Sequence, residues 1–251
     1  MLKSGLVSIS FRKLKVDEII AMVKKAHLKA IEWGSDVHVL PGDYETAAEV
    51  HEKCLQNDIV CPSYGSYYRI GTYLHPKAEF EKIIKSAEIL NCQTIRVWAG
   101  TLATHEASES HWQTIIKETK MLCEMAQDAG LSVSFEFHGN TLTDNVDDTI
   151  KLMNSVNEKN LFTYWQPPVG LALEKNKEDI LKLQDKISNV HVFYWRDRER
   201  LALQEGLKEW NEYFELLSNK KGYAMLEFVK EDSITQFFED SKTLKELLNE
   251  R

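Results

Sequence analysis

In the stretch Ser132–Gly139, SVSFEFHG, the apolar Val133, Phe135 and Phe137 alternate with Ser134, Glu136 and His138. Side chains on a strand point alternately to its two faces, so the segment predicts a strand with one oily face. Its other face ends in a carboxylate and an imidazole. An unpaired charge is costly to bury, so Glu136 needs a partner. Three more β-rich segments end in groups of the same kind: Gln166 before Pro167 and Pro168, His191 within NVHVFYW, and Glu227 within YAMLEFV. Two carboxylates, an amide oxygen and one imidazole make a cage for one divalent cation. Such an oxygen-rich set suits Mn²⁺, Mg²⁺ or Co²⁺ better than a zinc site built on cysteine and histidine. Each residue also has an ordinary reading: a solvated or salt-bridged Glu, a core His bonded to a carbonyl, a Gln bridging a loop. Their conjunction at four separate strand ends is what points to a metal.

The elements that must position these groups recur at a spacing of about thirty residues, the size of a βα unit. The β-rich runs are GLVSIS, AIEWG, DIVCPSY, QTIRVWAG, LSVSFEFHG, LFTYWQPP, NVHVFYW and YAMLEFV. Amphipathic segments lie between them. VDEIIAMVKKAHL places Ile19, Ile20, Val23 and Ala26 on one side, and HPKAEFEKIIKSAEIL carries Pro76 near its start with Phe80, Ile83, Ile84 and Ala87 on its stripe. Eight strand–helix pairs without a linker predict a single α/β domain over 1–251, a (β/α)8 TIM barrel. The alternative, a doubly wound open sheet, would bring a Gly-rich first turn, and SFRKLK has no glycine. In a barrel, function is built at the C-terminal ends of the strands, where the four candidate ligands fall.

Composition narrows the partners. Of 251 residues 43% are hydrophobic, enough for a sizeable core, and the net charge of −8 gives no field that attracts nucleic acid. No segment has the apolar length of a membrane span, and MLKSGLVSISFRK lacks the apolar run of a leader, so the chain reads as cytoplasmic. The scattered Cys54, Cys61, Cys92 and Cys123 predict reduced core thiols.

The pieces EFHGNTLTDN, VHVFYW, LQEGLKEWNEYFELL and MLEFV, with IEWG and IRVWAG, together resemble the sugar phosphate isomerase/epimerase family. These are xylose isomerase-like TIM barrels, a superfamily that includes the AP endonuclease branch. The resemblance spans essentially the whole chain and says little about substrate. It implies that Glu136, Gln166, His191 and Glu227 hold one divalent metal, Mn²⁺ in the first place, with Mg²⁺, Co²⁺ or Zn²⁺ as alternatives. The sixth strand departs from the family pattern. Gln166-Pro167-Pro168-Val169 stands where Asp-Pro-Gly-His is usual, and Tyr194 replaces an Asp three residues beyond His191. The exchange at 166 removes one negative charge from the ligand set, while the amide oxygen remains a usable donor. The histidine-rich, multi-zinc arrangement of the AP endonuclease branch is not matched.

The resemblance further implies hydrogen transfer in a sugar, sugar phosphate or keto-polyol through an enediolate, as an isomerase or epimerase, with Glu136 and Glu227 as the proton-moving carboxylates. Alternatives are a dehydratase or lyase acting through the same enediolate, and a non-catalytic sugar-binding barrel whose metal site has degenerated. Glu32, Arg96 and His138, on inward strand faces, are the expected substrate contacts. Arg196 in WRDRER is a candidate for a substrate anion, although Asp197 and Glu199 interleave and predict a solvated loop. Trp33, Trp98, Trp165 and Trp195 either wall the sugar or pack between barrel and helices. Oligomerisation is open.

Overall fold

The computed structural model describes residues 1–250. Strands and helices alternate as predicted: β1 (Leu2–Val7), α1 (Val16–Ala26), β2 (Ala30–Gly34), α2 (Tyr44–Gln56), β3 (Ser63–Arg69), α3 (Pro76–Ile89), β4 (Thr94–Trp98), α4 (Glu109–Asp128), β5 (Ser132–Phe135), α5 (Val146–Val156), β6 (Leu161–Trp165), α6 (Leu173–Leu183) and β7 (Ile187–Val192). A short ribbon of β8 (Tyr194–Arg196) and β9 (Glu199–Leu201) follows, then α7 (Leu207–Leu216), β10 (Gly222–Leu226) and α8 (Ile234–Leu247). Eight of the strands close a barrel in the order β1-β10-β7-β6-β5-β4-β3-β2. This is the TIM barrel fold.

Local chemistry explains the helix boundaries. The Glu18 carboxylate accepts the Lys15 N–H at 2.8 Å at the start of α1, and Ser108, Asn145 and Ser233 accept from His111, Asp148 and Gln236 at the starts of α4, α5 and α8. His27 and Asn157 end α1 and α5 in the left-handed conformation. Ile19, Ile20, Val23 and Ala26 are buried, as the 3.6-residue pattern requires. All four cysteines are buried, and none of them is in a disulfide. Among the described residues no helix is long and apolar enough to cross a membrane.

Two compact units can be distinguished. The first comprises residues 1–33, 52–61 and 165 onward, and the second residues 34–51 and 62–164. In the first, β1 pairs in parallel with β10 and β2, and β10 with β7. In the second, β3 pairs with β4, β4 with β5 and β5 with β6. Gly222 opens β10 opposite Leu2 with φ +139, and a Cβ built there would stand 2.2 Å from the Ser188 carbonyl oxygen. Backbone cannot yield as a side-chain tip can, so Gly222→Ala is expected to cost about 2–4 kcal/mol of stability. Urea unfolding followed by circular dichroism measures this; a loss under about 0.5 kcal/mol, the range of neutral surface changes, would refute it.

Two expectations need correction. DIVCPSY was to be the third strand, but Val60 forms only an isolated bridge with Ala30, and the ladder proper starts at Ser63, beyond Pro62. Proline offers no N–H to a ladder. WRDRER, expected as a solvated loop, forms the β8–β9 ribbon. Arg196 pairs with Glu199 across Asp197 and Arg198, whose φ values of 49° and 67° suit a two-residue type I′ turn. The Arg200 guanidinium lies over Phe228 at 5.1 Å and donates to Asp232 at 2.7 Å, so the ribbon is tied down.

Candidate active site

Within the first unit the site is centred on His191 of β7, which is completely buried. Its Nδ1 lies 2.9 Å from Gln166 Oε1, just past β6, and 3.2 Å from Glu227 Oε2, just past β10. Its Nε2 lies 3.8 Å from Glu32 Oε1 on β2. Burial by itself pulls an imidazole pKa down, yet Glu227 and Glu32 outweigh it and raise His191 to about 10. The surroundings of this ring thus favour positive charge strongly. The Glu227 N–H donates to the Val192 carbonyl at 3.0 Å, extending the ladder one residue and fixing the carboxylate at the strand end.

Within the second unit, Glu136 continues β5 by donating its N–H to the Val97 carbonyl at 2.9 Å, and Thr143 Oγ1 donates to its carbonyl at 2.6 Å. Arg96 and Trp98, two residues apart on β4 and so on one face, both donate to Glu136 Oε2. The charge that seemed awkward to bury therefore has a guanidinium partner, itself 1% exposed. The indole of Trp98 also stacks on His138, with ring centres 4.4 Å apart, and Arg69 at the end of β3 lies over it at 3.9 Å. His138 Nδ1 is 2.6 Å from the Gly139 carbonyl oxygen. A carbonyl can only accept, so the neutral ring carries its proton on Nδ1 and its lone pair on Nε2.

Glu136, His191 and Glu227 are each buried, and each offers an atom that could ligate a metal. Gln166 adds an amide oxygen beside His191. Glu32, Glu136 and Glu227 are buried carboxylates, and Arg96 is a buried guanidinium paired with Glu136. Although its surroundings favour the charged ring, His191 would give up its proton to serve as a ligand, and these groups then sum to a formal charge of −2, matching one divalent cation. The donor set thus fits a metal in number, hardness and charge.

Of the residues selected from sequence, Glu32, Gln166, His191 and Glu227 lie together, and Arg96, Glu136 and His138 form the second cluster around Trp98. Arg196 joins neither. It is exposed, donates to the Tyr194 hydroxyl at 2.9 Å, and lines a cavity of about 230 Å³ with Pro167, Trp195 and Trp210. Trp33 and Trp165 are core residues; Trp165 packs edge-on against Trp210 and Tyr213 of α7. Sequence reasoning overlooked Tyr67 and Arg69, because the expected third strand stopped before them. The available signal was an arginine ending the aromatic run SYGSYYR.

A family model described as xylose isomerase-like TIM barrel matches residues 20–248. The chain belongs to that family. A 3-dehydroshikimate dehydratase of Bacillus anthracis is 29% identical over 173 residues, 64% of this xylose isomerase-like chain and 60% of that protein's length. The curated relative is therefore matched over less than two thirds of its span. Among solved structures, a probable 3-dehydroshikimate dehydratase involved in petrobactin synthesis in Bacillus anthracis superposes with a TM-score of 0.84 at 20% identity, over 98% of this chain and 99% of that one. A 3-keto-D-glucoside 4-epimerase of E. coli superposes with a TM-score of 0.79 at 15% identity, over 99% and 100%. At these identities the structures attest the shared fold.

Proposed function

We propose that this family member is a metal-dependent lyase that removes water from a cyclic hydroxy-ketone bearing a carboxylate, of the 3-dehydroshikimate type. The observation that carries this reading is the set of buried potential ligands, Gln166, His191 and Glu227 together in one unit and Glu136 in the other, with Glu136 joined through the Trp98 indole to a histidine that has its lone pair on Nε2. The dehydratase relative supports the choice of reaction. Glu136, His191 and Glu227, with Gln166 as a neutral fourth donor, would hold the cation, Mn²⁺ in the first place and Mg²⁺, Co²⁺ or Zn²⁺ as alternatives. When bound, such an ion is a Lewis acid that stabilises negative charge as a carbonyl enolises.

The residues divide the remaining work. Arg96 and Trp98 fix the Glu136 carboxylate in one orientation, which suits a ligand better than a group that must swing to move protons. Proton movement passes to His138. Nε2 removes the proton from the carbon beside the carbonyl, the C–H electron pair becomes a carbon–carbon double bond, and the hydroxyl on the next carbon departs. It takes the same proton back from His138, so the ring ends as it began and the products are the unsaturated ketone and water. Glu32 holds His191, and the hydrophobic rings of Trp98 and Tyr67 flank the Glu136 side. Residues 1–251 would act as one barrel domain.

A second reading, isomerase or epimerase, draws on the presence of two buried carboxylates, Glu136 and Glu227, and on the epimerase neighbour. Proton nuclear magnetic resonance in deuterated water separates the two. With Mn²⁺-loaded protein and 3-dehydroshikimate, the expected result is loss of the ring hydroxyl and growth of aromatic signals. Exchange beside the carbonyl in a ketose, without water loss, would establish the second reading instead. Absence of any metal-dependent reaction in either substrate class would sink both.

A further inference from the structure

Strand β3 runs alongside β4 with Ser63, Tyr64 and Gly65 opposite Thr94, Ile95 and Arg96; Ser66 and Tyr67 are then passed over before Tyr68 meets Val97 and Arg69 meets Trp98. Such a bulge bends a strand and re-aims its side chains. Tyr67 has φ 53, a left-handed conformation that costs a non-glycine residue about 1–3 kcal/mol when imposed. The bulge is nevertheless pinned. Ser66 Oγ donates to the Arg96 carbonyl at 2.6 Å and accepts the Tyr68 N–H at 3.2 Å, and Ser35 Oγ donates to the Ser66 carbonyl at 2.5 Å.

The bulge has two results. It turns the Tyr67 ring towards Arg96, whose guanidinium carbon is 5.3 Å from the ring centre, and towards Trp98 at 6.0 Å. It also brings Arg69 into register with Trp98, so that the guanidinium lies on the indole. Arg69 is half-buried, and among the described residues no carboxylate pairs with it, although the chain holds 39 acidic residues. A guanidinium is planar, and one held 3.9 Å from an aromatic ring centre keeps N–H donors that a ligand beside the ring can meet. A planar carboxylate meets such a group with two parallel hydrogen bonds.

We propose that Arg69, with Tyr67 beside it, is the receptor for the carboxylate of the substrate. The inference rests on the reading of the site as an enolising lyase, and it moves to Arg69 the role that the sequence placed on Arg196. Trp98 sets the spacing. The same indole carries Arg69, stacks on His138 and donates to Glu136, so an anion held by Arg69 is registered against the proton-moving ring and the candidate metal ligand.

Isothermal titration calorimetry on Mn²⁺-loaded protein tests this with 3-dehydroshikimate and its methyl ester, which has the same ring without the charge. Wild type is expected to favour the acid about tenfold or more, the scale of one charge-assisted bidentate contact. Arg69→Gln should abolish that preference, weakening the acid while leaving the ester within about twofold, a pattern that general damage to the fold does not produce. Arg69→Lys, which keeps the charge without the planar fork, should fall between. The proposal is overturned if the acid retains its advantage in Arg69→Gln, if the ester binds wild type as tightly as the acid, or if the acid does not bind. It is overturned in favour of phosphate if fructose 6-phosphate, but neither the acid nor fructose, binds in an Arg69-dependent way. Arg69-dependent binding of the acid without its turnover would leave the receptor standing and remove the dehydratase reading.

Discussion

Glu227→Gln is expected to lower kcat/KM by at least about 10³-fold, equivalent to some 4 kcal/mol of transition-state stabilisation. The carboxylate sits 3.2 Å from His191 Nδ1 in a buried setting and, in the proposed site, would supply one of the two ligand charges, the other coming from Glu136. Its amide replacement keeps the shape and an oxygen donor but removes the charge that a hard cation seeks. Mn²⁺ titration should show weaker binding in the same variant, and chelation of the wild type with excess EDTA should reproduce the loss of activity reversibly. Activity that persists in Glu227→Gln after chelation would eliminate the metal reading. Glu136 reports on the fold as well as the chemistry. Glu136→Ala deprives the buried Arg96 of its counter-ion, and breaking such a pair from one side costs about 3–5 kcal/mol. Activity loss is therefore expected in both variants, with a large drop in melting temperature in the Glu136 variant.

His138→Asn is expected to lower kcat by about 10²–10⁴-fold, the usual contribution of a positioned general base. Mn²⁺ affinity should remain within about threefold of wild type, because the His138 ring reaches Glu136 through the Trp98 indole and not by direct contact. Asparagine preserves a planar group against the indole and a donor for the Gly139 carbonyl, so the change isolates the lost Nε2 lone pair. Unchanged kcat in this variant would return the proton-moving role to Glu136 and Glu227. A parallel loss of metal affinity would instead make His138 part of the metal's support.

The two variants also separate what was legible in the sequence from what was not. The alternation of Val133, Phe135 and Phe137 with Glu136 and His138 sufficed to place a carboxylate and an imidazole at a strand end. The same reasoning applied to Gln166, His191 and Glu227, and eight strand–helix repeats were enough to bring them to one end of a barrel. These are local properties: side-chain parity, helix periodicity and caps depend on a few neighbouring residues and survive in any tertiary setting.

The compensation of Glu136 by Arg96 was not legible. It depends on β4 lying beside β5 with Arg96 opposite Ser134, a register between residues far apart in the chain. The pairing of Glu32 with His191 likewise needs β2, β1, β10 and β7 to pair in turn. Arg69 reaches Trp98 only because β3 spends two residues on a bulge, and neither the bulge nor the left-handed Tyr67 has a distinctive residue pattern. The sequence by itself determined which groups stand at the strand ends and the architecture that gathers them. Tertiary structure alone decided which charges meet, because strand register and bulges arise from long-range pairing that local periodicity does not encode.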